Sequence, residues 1–269
     1  MMQLPTEIAG VLAIVAMFVA PARPATAGVA AAQVRTVEAA PAPNAALPLD
    51  LGLLNESGEA MTLGKAIGGL PAIVIFVDYT CRTLCGPVLE FAADGLGKTG
   101  LKPGVDYRLI VIGIDPRDGI AAARTMRAQH IDDASPILKA ATFLTGHDPE
   151  IHAVTAAAGL HYTYDAEHDQ FAHPAAVYVV DSGGHVRRVL SPLGLDGTNL
   201  RLAIVDAGRG AVGTLTDRIH LLCYGYDPVK GIYTERITTL MSIAAGLTLV
   251  TMAGGISLMV AREKRNVRS

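Results

Sequence analysis

The chain has 269 residues, with 22 Lys and Arg against 25 Asp and Glu for a formal net charge of −3, and its mean hydropathy is +0.37. With 51% hydrophobic and 17% charged residues, it has ample apolar surface for a core, which excludes intrinsic disorder. A near-neutral balance without a long basic run excludes the electrostatic footprint of a nucleic-acid binder. Three cysteines are too few for a small disulfide-stapled scaffold.

Residues 8–20 are 13 consecutive uncharged, mostly apolar residues, followed by the small-residue run Ala25-Thr26-Ala27. That pattern predicts an export signal over 1–27, with Glu7 in an n-region that has no Lys or Arg, and an uncleaved anchor as the alternative. Residues 28–48 are rich in Ala, Pro and Val and bury little, so a flexible tether is expected. From Pro71 the chain reads AIVIFVDYT, a continuous apolar run of the kind found in a strand buried on both faces. Cys81-Arg-Thr-Leu-Cys85-Gly-Pro follows, and then a helical stretch in which Val88, Leu89, Phe91, Ala92 and Leu96 can share a face. A second buried strand is predicted over 108–116 and a helix over 120–129. Another helix begins near Asp148-Pro149-Glu150, with Asp148 as N-cap and Pro149 at the first helical position. Residues 176–180 and 186–190 are two strands joined by the hairpin signal Asp181-Ser-Gly-Gly184. A last helix covers 196–207, capped by Asp196 or Thr198. The order β-α-β-α-α-β-β-α, with a two-cysteine motif straight after the first central strand, is that of an α/β thioredoxin-like domain, placed at 49–210.

A juxtamembrane extension is expected over 211–236, where Tyr224, Tyr226 and Tyr233 would suit a membrane interface. Residues 237–261 carry no charge, and a helix over 240–260 would span about 30 Å, the thickness of a hydrocarbon core. Arg262, Lys264, Arg265 and Arg268 follow. The expectation is a C-terminal transmembrane helix with a cytoplasmic tail over 262–269, in a single-pass protein of a bacterial inner membrane whose domain faces the periplasm.

The chemistry is expected at the cysteines. If the strand ends near Thr80 and a helix starts through the pair, Cys81 and Cys85 lie on one side of its first turn, where the helix N-terminus lowers thiol pKa values. Two such thiolates either close into a disulfide or hold a soft ion such as Cu(I) or Zn(II). His173, in Phe171-Ala-His173-Pro174 just before a strand, is the best third ligand, and two sulfurs with one imidazole suit Cu(I). His147, His152, His161 and His168 read as solvated and His185 as a turn residue. Asp78, three residues before Cys81, and Asp115, at the end of the neighbouring strand, read as turn or supporting residues around the site. His220 and Cys223 are three apart and form a weaker candidate for a secondary soft site. Cys223 is left without a partner if Cys81 pairs with Cys85.

The layout FVDYT-Cys81-x3-Cys85-x-Pro87, then IGIDPRD, then His173 before YVVDSGG, resembles the SCO/SenC family over roughly residues 47–210. The resemblance implies a copper-binding, thioredoxin-like protein that helps to assemble the binuclear copper centre of cytochrome c oxidase subunit II, with Cys81, Cys85 and His173 as copper ligands. Family members commonly carry proline directly after each cysteine, whereas Arg82 and Gly86 stand here. Pro174 resembles the proline that flanks the dithiol in cis form in redox proteins of this fold. A C-terminal span with Cys223-Tyr-Gly-Tyr-Asp-Pro resembles a bacterial subgroup of the family. The implied function is a membrane-tethered copper metallochaperone acting on cytochrome c oxidase subunit II or another cuproprotein. The alternative is a thiol-disulfide reductase of a partner's cysteines, with Cys81 attacking and Cys85 resolving. A non-catalytic assembly or copper-sensing module is the third reading.

Overall fold

The computed structural model describes residues 37–208, all of 211–235 except 215, 218, 219, 222 and 223, and residues 242, 245–248, 251, 252 and 255. The described residues belong to one unit, Thr36–Ser269. In chain order its elements are β1 (Glu38–Ala39), β2 (Gly52–Asn55), β3 (Ala60–Thr62), α1 (Leu63–Ile67), β4 (Ala72–Val77), α2 (Cys85–Gly97), β5 (Arg108–Gly113) and α3 (Ile120–His130). They continue with β6 (Ala141–Thr145), α4 (Asp148–Ala157), β7 (Leu160–His161), β8 (Thr163–Asp165), β9 (Gln170–Ala172), β10 (Val177–Val180), β11 (Val186–Leu190), α5 (Gly197–Ala207), β12 (Tyr224–Asp227) and β13 (Ile232–Glu235).

The main sheet runs β11-β10-β4-β5-β6-β2-β3, with β4, β5 and β6 parallel and β10 antiparallel to β4. β4 is apolar throughout, and β5 is apolar after Arg108, because both faces are covered, as expected for parallel strands. Along β4, Ile73, Ile75 and Val77 face a core shared with Leu89, Ala92 and Leu96 of α2, Met126 of α3 and Leu200 and Ala203 of α5. The alternate residues Ala72, Val74 and Phe76 face a second core with Ile67 of α1 and Ile151 and Val154 of α4. The period of two along a strand thus divides one hydrophobic run between two cores. This is the expected α/β thioredoxin-like fold, and it carries the ends of β4 and β5 and the start of β10 to one edge of the sheet.

Three strands of this sheet go beyond the expected order. β6 extends the parallel sheet between α3 and α4, and β2 and β3 add an antiparallel margin. Helix boundaries move slightly. Asp196 caps α5, accepting from the backbone N–H groups of Thr198 and Asn199 at 2.9 and 3.0 Å. His147 rather than Asp148 precedes α4, without a side-chain cap bond. The 181–184 hairpin forms as expected, with Asp181 Oδ1 accepting from Gly183 and His185 N–H groups and Gly184 at φ 80°, a left-handed conformation that glycine takes without strain.

The ends of the chain differ more. Residues 37–48 of the expected tether are held on the domain: β1 pairs with β7, Ala46 bridges His185, and Leu47 is buried and donates to the Gly184 carbonyl at 2.9 Å. The signal over 1–27 lies outside the described residues.

The expected transmembrane helix, and the single-pass periplasmic topology built on it, are corrected. Among the described residues no helix is long and apolar enough to cross a membrane. Spanning needs about 20 consecutive residues in one helix with every backbone group satisfied, whereas an uncharged stretch measures only apolarity. Most of 237–261, and all of 262–269, lie outside the described residues.

The tyrosines expected at a membrane interface also have other partners. Tyr233 is buried against the domain and its hydroxyl donates to Asp206 at 3.3 Å. The Tyr226 hydroxyl donates to the Val189 carbonyl and accepts from the Val189 N–H, with the Arg188 guanidinium 5.0 Å above its ring. Docking onto β11 and α5 satisfies these hydroxyls inside the fold.

Candidate functional site

β4 ends at Val77, and the chain turns through Asp78-Tyr79-Thr80 before α2 begins at Cys85. Only Cys85 therefore lies in the helix. Cys81 sits in the turn before it, its N–H donating to the Asp78 carbonyl at 3.1 Å. Both thiols are free; Cys85 is buried and Cys81 partly exposed. Leu84, at the N-cap, supplies no side-chain acceptor. The Cys81 sulfur lies under the influence of the backbone N–H groups of Thr83 and Cys85 at this helix start.

This setting splits the two thiols. Cys81 is pulled down to about 4, first by the side chain of Cys85, then by the Thr83 hydroxyl and the two backbone N–H groups, with burial opposing. Cys85 is pushed far up, by its hydrogen bond to Cys81, by burial and by the Cys81 charge. Together they behave as one coupled pair that holds a single proton, on Cys85.

His173 closes the group. Its Nε2 lies 3.1 Å from Cys85 Sγ, and its Nδ1 lies 3.1 Å from the Pro174 carbonyl oxygen. A carbonyl can only accept, so Nδ1 carries the ring proton. Burial holds the imidazole below its ordinary pKa, so the ring is neutral and its Nε2 lone pair faces Cys85. The Cys85 hydrogen thus has two acceptors beside it, the Cys81 sulfur and Nε2. Of the three expected ligands the structure brings Cys85 and His173 into contact, while the Cys81 sulfur is turned toward Thr83 Oγ1 at 3.4 Å. As they stand, among the described residues no three His, Cys, Asp or Glu side chains are gathered closely enough to hold a metal ion. The His173–Pro174 bond is trans, since no described peptide bond is cis.

Asp78 is fully buried and spans the site. Its Oδ1 accepts from the Thr80 N–H and hydroxyl at 2.9 and 2.8 Å, and its Oδ2 accepts from the Phe171 N–H at 3.0 Å. One carboxylate therefore fixes the turn that carries Cys81 and the strand that leads into His173. Asp115 supports the same strand from further away. It receives Arg117 in a bidentate pair, with Nη2 to Oδ2 at 2.6 Å, and Arg117 reaches on to Asp169 at 2.9 Å. The Arg117 guanidinium lies 5.0 Å from the Tyr164 ring centroid and 5.8 Å from that of Phe171. Asp118, beside this loop, is buried and accepts from the Tyr79 N–H at 2.9 Å. Burial, then the charges of Asp78 and Asp115, raise it to about 6.

Thr83, Asp118, Arg117 with the β8–β9 hairpin, and His130 are the parts of this region that reading the sequence did not single out. The Tyr79–Asp118 and Asp78–Phe171 contacts join residues 39 and 93 positions apart, beyond the reach of a local motif. The remaining histidines behave as expected: His147, His152, His161 and His168 are exposed, and His185 sits in its turn against Asp181 at 3.2 Å. His220 is exposed, with its ring 6.3 Å from that of Tyr224. Its suggested partner Cys223 lies outside the described residues.

Solved structures with the same fold include an electron transfer protein from Aquifex aeolicus VF5, at a TM-score of 0.56 and 17% identity over 65% of this chain and 98% of that one. A second, an electron transport protein from the same organism, matches at a TM-score of 0.53 and 17% identity over 62% and 99%. Arabidopsis thaliana ScoI with copper bound matches at 0.50 and 21% identity over 59% and 96%. No curated protein matches the chain. The SCO1/SenC family model matches residues 40–201, more than half of the sequence and all of the segment that builds this site. The chain belongs to the SCO1/SenC family.

Proposed function

We propose that the protein is a copper metallochaperone whose cargo is held by Cys81, Cys85 and His173 and passed to a cuproprotein partner, with cytochrome c oxidase subunit II as the expected recipient. The observation that carries this reading is the 3.1 Å contact of Cys85 Sγ with a His173 Nε2 whose lone pair faces the dithiol. Two soft sulfurs and one imidazole form a donor set suited to Cu(I). Loading asks for one local change, the turn of the Cys81 sulfur from Thr83 toward the other two, with the Cys85 proton released. The same change in reverse opens the ion to a partner's ligands.

The test is an anaerobic Cu(I) titration of the reduced full chain against a competing chelator. One copper per chain is expected, weakened strongly and separately by Cys81→Ser, Cys85→Ser and His173→Ala. Binding indifferent to His173 would falsify the chaperone site. The split between a charged Cys81 and a protonated Cys85 supports a second reading, thiol-disulfide exchange on a partner's cysteines with Cys81 as the attacking sulfur. Loss of that activity with either cysteine, but not with His173→Ala, separates the two.

A further inference from the structure

Cys81 has a second side. Away from Cys85 and His173 it lines a cleft of about 550 Å³, a volume in the range of small-molecule sites. One wall is the start of α2. The other is the face of α3 made by Ala122, Thr125, Met126, Gln129 and His130, residues spaced so that they stack along one side of a helix. His130 enters because residue 86 is glycine: a Cβ there would fall 2.3 Å from His130 Cε1. Glu90 then holds the ring through Nδ1 at 2.7 Å.

The lining contains no carboxylate, while Arg82 and His130 both border it. Arg82 and Gln129 are exposed, and each presents N–H donors that no other described residue takes up. Cys81 is the one thiol in the cleft's lining, the other sulfur being the Met126 thioether; Cys85 is not part of its lining.

The geometry points to this cleft as a binding site for a small disulfide that bears carboxylates, seated with its S–S bond at Cys81 and its carboxylates toward Arg82 and Gln129. The Cys81 thiolate attacks one sulfur of the ligand, whose S–S bond breaks. One half leaves as a thiolate, and the other stays bound to Cys81 as a mixed disulfide. Cys85 gives up its proton to solvent and attacks the Cys81 sulfur, releasing the second half as a thiolate and closing a Cys81–Cys85 disulfide. The protein dithiol loses two electrons and the ligand gains them, the released thiolates taking up protons from water. This rests on the thiol-disulfide reading above, to which it adds a ligand class and a binding cleft, and it needs neither His173 nor a metal.

The test follows the oxidation of reduced full-length protein by glutathione disulfide and by the cationic disulfide cystamine over a range of concentrations. The expected rate saturates with glutathione disulfide and exceeds that for cystamine by about tenfold or more. Arg82→Gln should remove the preference. Gln129→Trp, at an exposed position in the cleft wall, should crowd the cleft and slow glutathione disulfide while leaving alkylation of Cys81 by the small neutral reagent iodoacetamide unchanged. A rate linear in concentration, equal for the two disulfides, or untouched by Gln129→Trp overturns the proposal. Both tests need the two cysteines, but the copper titration turns on His173 and the disulfide preference on Arg82 and Gln129, so the failure of one leaves the other standing.

Discussion

The two cysteines stand four positions apart and live in different surroundings. Cys85 is 3% exposed, at the head of α2 with the His173 ring against it. Its flank is built by contacts across the sheet edge, above all Asp78 bonded to Phe171. Cys81 lies in the preceding turn with a hydroxyl and backbone N–H groups around its sulfur and an open cleft beyond. The hydrogen bond between the two sulfurs, and then burial, keep the proton on Cys85, while Cys85 and the local donors remove it from Cys81. In the proposed function both sulfurs would hold the ion, and the presented one would meet the partner.

The largest effects should separate these flanks. On the Cys85 flank, His173→Ala is expected to lower Cu(I) affinity by more than about 100-fold, above the usual loss for a residue that only supports a ligand. Oxidation by glutathione disulfide should stay as it was. Arg82→Gln should do the reverse. Copper affinity that falls equally in both variants would mean that the flanks are not distinct. Asp78→Ala comes next. It strands the part-buried N–H of Phe171 and releases Thr80, with about 1–3 kcal/mol, the figure for a fully buried unsatisfied group, as the upper bound. Chemical denaturation should show that loss, and copper affinity should fall by about 10- to 100-fold while both cysteines remain.

The thiol split gives a smaller effect with a definite sign. Alkylation of Cys81 measured against pH should follow a thiolate that persists down to about pH 4. Cys85→Ser should move that midpoint upward, because the first cause of the depression is the Cys85 side chain, and Thr83→Ala should move it upward by less. An unmoved midpoint in Cys85→Ser would show that the helix end alone activates Cys81.

These contrasts also mark what was legible in the sequence. The runs AIVIFV and, after Arg108 at its start, RLIVIG could be read as central strands because burial on both faces leaves their buried positions apolar. β6, with two threonines in five residues and a short 3₁₀ turn just before it, has no such run, and β2 and β3 are short marginal strands. Cys81, Cys85 and His173 could be picked by residue type and place in the element order. The cleft could not, since it depends on Gly86 admitting a ring from α3, 44 positions away. The tyrosines of β12 and β13 could be seen as aromatic but not as docked. Their partners Val189 and Asp206 lie on elements that only the fold brings near.

Asp118 offers a stability test of the ground between the flanks. Its pKa is raised from the ordinary carboxylate value to about 6, chiefly by burial. Between about pH 4 and 6 the folded chain therefore binds more protons at this site than the unfolded chain, and stability falls as pH rises through that window. Asp118→Asn keeps an oxygen for the Tyr79 N–H and removes the titration. It should flatten the melting temperature against pH in that range and raise it at pH 7.

The smallest expected effect lies at Arg117, which is half exposed and joins Asp115 to the β8–β9 hairpin. Arg117→Met keeps an apolar stem over Tyr164 and Phe171 but drops the links to Asp115 and Asp169. Asp78 still holds Phe171, so His173 should keep its place. The hairpin should show faster hydrogen exchange over 163–172, with copper affinity changed by only a few-fold, as befits an exposed ion pair. A loss as large as that of Asp78→Ala would move the support of His173 from the buried carboxylate to the surface arginine. The Cys85 flank would then be held from outside the core, and its contrast with the Cys81 flank would lose its physical basis.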